Sequence, residues 1–114
     1  MIKFRSDCPL SRSLDVVGDK WTLLILRDIV AFKKTTFKEI ALMPENIATN
    51  TLSERLNKLV MEGFITKKKS KTNKLVYHYL PTYKAVDLLP SIMLMVKWSK
   101  KYLYRSKEKP TPIK

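Results

Sequence analysis

Between Trp21 and Phe32 the apolar positions Trp21, Leu24, Ile25, Ile29 and Phe32 recur at the spacing of a helix face, which predicts a core helix over residues 20–32. A second helical stripe follows after residue 49, where Leu52, Leu56, Leu59 and Val60 fall within about a quarter of the helix circumference. The period then changes. "FITKKK" and "LVYHYL" are β-branched and aromatic runs separated by the polar "SKTN", the pattern of an antiparallel hairpin. From Leu88 to Val96 apolar side chains occupy almost every angle of a helix, more than one core face absorbs.

Prolines, glycines and capping residues set the boundaries. Pro9 suits the first position of a helix and Gly18 the left-handed residue that ends one, predicting a short helix over 9–17, and Asp19 is placed to cap the next. Thr36 with Glu39 three residues on completes a capping-box pattern for a short third helix, stopped at Pro44. After the turn "PENIAT", the leucine-striped helix runs to Glu62 and is ended by Gly63. Pro81 ends the second strand, and Thr82 is expected to cap a last helix reaching about Tyr104 and bent at Pro90. The fold class is therefore mainly α with a small antiparallel β-hairpin: a helix-turn-helix with an appended hairpin, flanked by outer helices. Residues 1–104 are expected to form one domain, and the polar, proline-containing stretch 105–114 a disordered basic tail.

Charge changes the picture from fold to partner. The 114 residues hold 23 Lys and Arg against 10 Asp and Glu, a formal charge of +13. Self-repulsion of that size is relieved by a polyanion, and a phosphate backbone is the commonest one. A membrane is not expected, because the apolar runs Leu23 to Leu26 and Ile92 to Val96 are far shorter than the roughly 20 residues a spanning helix needs. The opening "MIKFRSDCPLSRS" lacks an apolar signal region, and the single cysteine excludes an internal disulfide, so a reduced, cytoplasmic protein is expected. Lone His78 and lone Cys8 make no zinc finger, two glycines make no phosphate-cradling loop, and no carboxylate pair or triad appears. Neither an enzyme nor a resident cofactor or metal is expected.

The candidate DNA-binding surface has two parts. Opposite the leucine stripe lie Asn50, Thr51, Glu54, Asn57 and Lys58, with Thr49, Ser53 and Arg55 on the flanks. Such hydrogen-bonding side chains in the first turns of a helix suit base edges in the major groove. Any amphipathic helix also shows water a polar face, and Glu54 with Lys58 makes an ordinary ion pair. The hairpin tips the balance: Lys67, Lys68, Lys69, Lys71 and Lys74 crowd its tip, with Thr72 and Asn73 adding donors. Three wing lysines and two helix cations per subunit on phosphates give a dimer a log–log salt slope near about −9. The competing expectation is a non-specific nucleic-acid-binding module, nucleoid or RNA-directed, although exposed stacking aromatics are not grouped as RNA recognition needs.

A second subunit would cover the surplus apolar surface of the last helix, with Leu89, Ile92, Met93, Val96, Trp98 and Tyr102 as the expected dimer interface. Two subunits place two reading helices about 34 Å apart, so the expected operator is an inverted repeat.

"CPLSRSLDVVGDKWTLLILRDI", "TLSERLNKLVMEGFITKK" and "LLPSIMLMVKW" together resemble the HxlR-type transcriptional regulators, a winged helix-turn-helix family of bacteria and archaea. The most specific parts are the Cys8-Pro9 pair, the step from Gly18 to Trp21 and the Leu52 to Leu56 core, and the likeness runs from Cys8 to about Tyr102. It implies a homodimeric DNA-binding regulator, here expected to be a repressor, with N- and C-terminal dimerisation helices. Many relatives carry a Pro-Pro pair in the wing where this chain has "KSKTNK", and a glycine where it has Asn46.

Cys8 is expected at an N-cap, where the helix dipole favours thiolate; Lys3, Arg5 and Arg12 add to that field and Asp7 opposes it. Some HxlR-type regulators sense electrophiles or disulfide stress through a cysteine at this place, so the resemblance implies Cys8 as a candidate redox sensor. An inert, partly buried thiol is the alternative. A small-molecule effector could sit near Trp21 and Trp98, and His78 is expected to be a wing residue without chemistry.

Overall fold

The computed structural model describes residues 2–105; all of the predicted tail beyond Arg105 lies outside them. Helix α1 (Pro9–Val17) begins on its proline and ends at Gly18. Gly18 is right-handed (φ −81°, ψ −4°), not left-handed as its position after a helix suggested. The glycine is required by a close approach instead: its N–H bonds the Leu14 carbonyl at 2.9 Å, and a Cβ would collide with that same oxygen.

Asp19 caps α2 (Thr22–Leu26) as expected, its Oδ2 accepting from the N–H groups of Trp21 and Thr22 at 3.1 Å each. The helix predicted to run to residue 32 widens at its end into a π turn, Arg27–Ala31, where the Phe32 N–H reaches the Arg27 carbonyl at 3.2 Å. Lys33, at φ 60°, then reverses the chain. Ile25, Leu26, Ile29 and Val30 fill the core from this element, while Trp21, Leu24 and Phe32 are only half-buried.

The predicted capping box opens α3 (Phe37–Ala41): Thr36 Oγ1 accepts from the Glu39 N–H at 3.2 Å, and Glu39 Oε1 accepts from the Thr36 N–H at 3.0 Å. In the turn that follows, Met43 and Ile47 sink into the core and Asn46 takes the left-handed conformation at φ 59°. Asn is one of the few non-glycine residues that tolerate it. Helix α4 (Thr49–Met61) buries Leu52, Leu56 and Leu59 as its stripe predicts, and Gly63 ends it at φ 79°.

Strands β1 (Ile65–Lys69) and β2 (Tyr77–Pro81) pair antiparallel, with Ile65 opposite Pro81, Lys67 opposite Tyr79 and Lys69 opposite Tyr77. Ile65 and Tyr79 are buried at the base. The outer edge of β2 is tied to the loop before α3, because the Tyr79 N–H donates to the Thr35 carbonyl at 2.7 Å and His78 Nδ1 lies 2.8 Å from Thr35 Oγ1.

The last helix differs from expectation. It is two helices, α5 (Tyr83–Val86) and α6 (Leu89–Tyr102), and Pro90 lies in the first turn of α6 rather than at a bend. A first-turn proline loses nothing, since the N–H groups there have no partner within the helix. The Thr82 hydroxyl, expected to cap, instead donates to the carbonyls of Gly63 at 2.6 Å and Phe64 at 3.1 Å. A winged helix-turn-helix results, mainly helical with one antiparallel hairpin.

Candidate nucleic-acid interface

The hydrophobic stripe of α4 points its other side outward. Thr49, Asn50, Ser53, Glu54, Asn57 and Lys58 are exposed and Thr51 is half-exposed, so the structure brings these predicted residues onto one accessible surface. Arg55 goes elsewhere. Its Nε meets Asp19 Oδ2 at 3.0 Å and its Nη1 meets Glu54 Oε1 at 2.7 Å. Glu54 therefore pairs with Arg55, not with Lys58 as the helix spacing suggested.

Asp19 thus serves two elements: it caps α2 and holds the second turn of α4. Its partial burial would raise its pKa, but the Thr22 hydroxyl, Arg55 and the N–H groups of Trp21 and Thr22 outweigh that and hold it at about 2. Arg55 is correspondingly raised above its ordinary value, first by its bond to Asp19.

In the wing, Lys67, Lys68, Lys69, Lys71 and Lys74 are all exposed, and among the described residues none pairs with a carboxylate. Several acidic residues are engaged elsewhere: Asp7 with Arg12, Asp15 with Arg5, Asp19 with Arg55, Asp28 with Arg27 and Lys34. Strand alternation puts Lys67 and Lys69 on the face of Tyr79 and Tyr77, and Lys67 Nζ sits 4.4 Å from the Tyr77 ring centre. Thr72 and Asn73, expected to offer donors, partly serve their own loop: Thr72 Oγ1 is 3.2 Å from Ser70 Oγ, and Asn73 Oδ1 accepts from the Leu75 N–H at 3.0 Å.

The expected interface residues of α6 divide by angle. Ile92 is 7% exposed and belongs to the protomer's own core, with Leu89 packed against it. Met93 and Val96 are half-buried, while Trp98 and Tyr102 are exposed with ring centres 5.8 Å apart. Leu94 and Met95 continue their outward stripe, and α1 exposes Leu10 and Leu14. The sequence reading missed these four; a helical wheel centred on Ile92 would have found Leu94, which lies roughly opposite it, whereas Met95 is only about 60° from Ile92 and no wheel marks it as outward.

Cys8 is exposed at the N-cap of α1, so the expectation of a partly buried thiol does not hold. Two of the cations expected to enhance its field are taken up, Arg12 by Asp7 at 3.0 Å and Arg5 by Asp15 at 2.5 Å. An open groove of about 440 Å³ lies between α3 and the wing, lined by Phe37, Leu75, Tyr77 and Tyr79, and neither tryptophan borders it. Among the described residues no group of side chains is suited to hold a metal, and no helix is long and apolar enough to cross a membrane.

Residues 16–107 match the HxlR-like helix-turn-helix family. An uncharacterised HTH-type transcriptional regulator of Mycobacterium tuberculosis is 31% identical over 105 residues, 92% of this chain and 65% of the relative, so the chain spans less than two thirds of that protein. The crystal structure of PA1607, assigned as a transcription factor, superposes with a TM-score of 0.83 at 31% identity, covering 94% of this chain and 73% of the other. The redox regulator HypR in its oxidised form gives a TM-score of 0.70 at 25% identity, covering 87% of this chain and 99% of HypR.

Proposed function

The chain belongs to the HxlR-like helix-turn-helix family of transcriptional regulators, and from that premise we propose that it binds an inverted-repeat operator in duplex DNA as a homodimer and acts as a repressor in the cytoplasm. Residues 1–104 act as one DNA-binding and dimerisation domain. The observation that carries the reading is the pairing of two unlike surfaces: an outward α4 face of short polar side chains, and a hairpin of lysines with no carboxylate partner among the described residues. Asn50, Thr51, Ser53, Asn57 and neighbouring Thr49 read base edges in the major groove, while Glu54 accepts from a cytosine amino group. Lys58 and the wing residues Lys67, Lys68, Lys69, Lys71, Thr72, Asn73 and Lys74 hold the backbone.

Arg55 is committed to Asp19 and Glu54, so it drops out of the phosphate count. About four contacts remain per subunit, eight per dimer, and the salt slope becomes about −7 rather than about −9. Dimerisation uses the outward stripe of Leu94, Met95, Trp98 and Tyr102 with Leu10 and Leu14 of α1, exposed apolar surface that a monomer leaves in water. A compact dimer seated on a promoter blocks polymerase without further parts.

The test is a fluorescence titration of a duplex selected from a random pool against its scrambled counterpart at moderate salt, with sedimentation of the free protein. Tight, selective binding by a dimer supports the reading; equal affinity for both duplexes supports a non-specific nucleic-acid module instead.

HypR is a redox regulator, and Cys8 here is an exposed thiol at a helix N-terminus. We propose that it responds to thiol-reactive compounds. The chain has one cysteine, so oxidation yields a bridge between subunits or a mixed disulfide with a small thiol. Cys8→Ser is expected to abolish the diamide response of DNA binding; an unchanged response removes this part of the proposal.

A further inference from the structure

Asp28 is fully buried, and a buried carboxylate persists only where cations and hydrogen bonds match its oxygens. Oδ1 accepts from Arg27 Nε at 2.9 Å and Oδ2 from Lys34 Nζ at 3.0 Å. The π turn makes this arrangement by bringing the chain back on itself, so that the Lys34 N–H also reaches the Asp28 carbonyl at 3.0 Å. With one edge of its guanidinium on Asp28, Arg27 turns the other edge outward. Its Nη1 and Nη2 fork onto the two oxygens of Glu45 at 2.9 and 3.0 Å.

Glu45 lies in the turn between α3 and α4, beside left-handed Asn46. The turn is also anchored by the buried side chains of Met43 and Ile47, and α4 by Leu52, Leu56 and Leu59. Burial of the leucine stripe turns one face of α4 to the core but is not directional on the scale of a hydrogen bond, so it fixes the rotation of the helix only coarsely. A planar fork is directional. Together with Asp19, which precedes α2 and holds Arg55, Arg27 grips α4 and its leading turn from both ends of the same helix.

We infer that Glu45, acting through Arg27 and the buried Asp28, is a positioning residue for sequence discrimination, fixing the rotation of α4 that presents Asn50, Thr51 and Ser53 to the bases. The inference rests on the DNA-reading role proposed above. Glu45 itself faces solvent, and an exposed pair carries little weight, but the Arg27 side chain is only 11% exposed and its fork is held in place by buried Asp28.

Glu45→Gln removes the charge, keeps the shape of the turn, and makes the already basic protein slightly more cationic. Affinity for the pool-selected duplex is expected to fall about three- to tenfold. Affinity for the scrambled duplex should stay the same or rise slightly, and the melting temperature should move by a few degrees at most. Arg27→Lys keeps the charge but loses the fork, and is expected to reproduce the loss of discrimination.

In the free protein, the amide resonances of residues 47–53 should shift in Glu45→Gln while those of Ile25 and Ile65 stay in place. Unmoved 47–53 resonances overturn the inference, as does a parallel fall in affinity for both duplexes that tracks lost stability. If the wild-type protein binds both duplexes equally, the DNA-reading proposal fails, and the resonances alone still decide whether Glu45 holds α4.

Discussion

Helix α4 and the hairpin are held in opposite ways. The helix buries three leucines and is tied to α2 through Arg55 and Asp19. Beyond buried Tyr79 the hairpin exposes almost every side chain, with Lys67 lying over the rings of Tyr77 and Tyr79 and, among the described residues, no wing lysine paired with a carboxylate. The difference matches the two roles proposed above for these regions. Reading a base edge needs donors fixed to within fractions of an ångström, whereas neutralising a phosphate needs only charge within reach.

The contrast breaks most severely if the mount of the helix is hollowed out. Leu56→Ala, at a fully buried site, is expected to cost about 2–5 kcal/mol, read as a lowered midpoint in thermal or urea unfolding; a loss under about 1 kcal/mol would mean that α4 is not seated as described. A smaller effect sharpens the same distinction at the surface. Asn50→Ala is expected to relax preference at one base pair by about 1–3 kcal/mol where the contact is bidentate, leaving stability unchanged.

Acid tests the ionic tie. The Asp19 carboxyl is held at about 2 against an ordinary 3.8, so the stability it contributes is present above about pH 4 and is lost as pH falls toward 2. That loss is about 1–2 kcal/mol. Urea titrations of wild type and Asp19→Asn across this range should converge at the acid end, and parallel curves would count against the tie. The smallest change belongs to the wing: Lys68→Ala should weaken all duplexes alike and flatten the salt slope by about one unit, with no shift in unfolding.

The elements that were legible in the sequence rest on local chemistry. The box of Thr36 and Glu39, the cap of Asp19, proline at the start of α1 and glycine at the end of α4 each act within a few residues, and each lies where its pattern indicates. What was not legible depends on partners distant along the chain. Arg55 read as a free cation on a helix flank, because nothing local shows that Asp19 waits 36 residues earlier. The π turn, and the ionic cluster in which it sets Asp28, Lys34 and, through Arg27, Glu45, are encoded by no hydrophobic period. Pro90 was misplaced for a related reason: a proline inside a long apolar run looks like a bend until the break before it, at Asp87 and Leu88, is seen. The candidate DNA-facing residues of α4 were legible because exposure there is simply the complement of a clean leucine stripe.

Gly18 joins α1 to the rest of the molecule with no slack at all. Adding even one methyl group there would wedge the joint open against the backbone of α1, since the obstructing atom is a carbonyl oxygen that cannot swing aside as a flexible side chain would. The helix bearing Leu10 and Leu14 would tilt, and in the dimer proposed above two copies clasped through it would stand at an altered pitch on the duplex, each reading head intact but out of step with its twin.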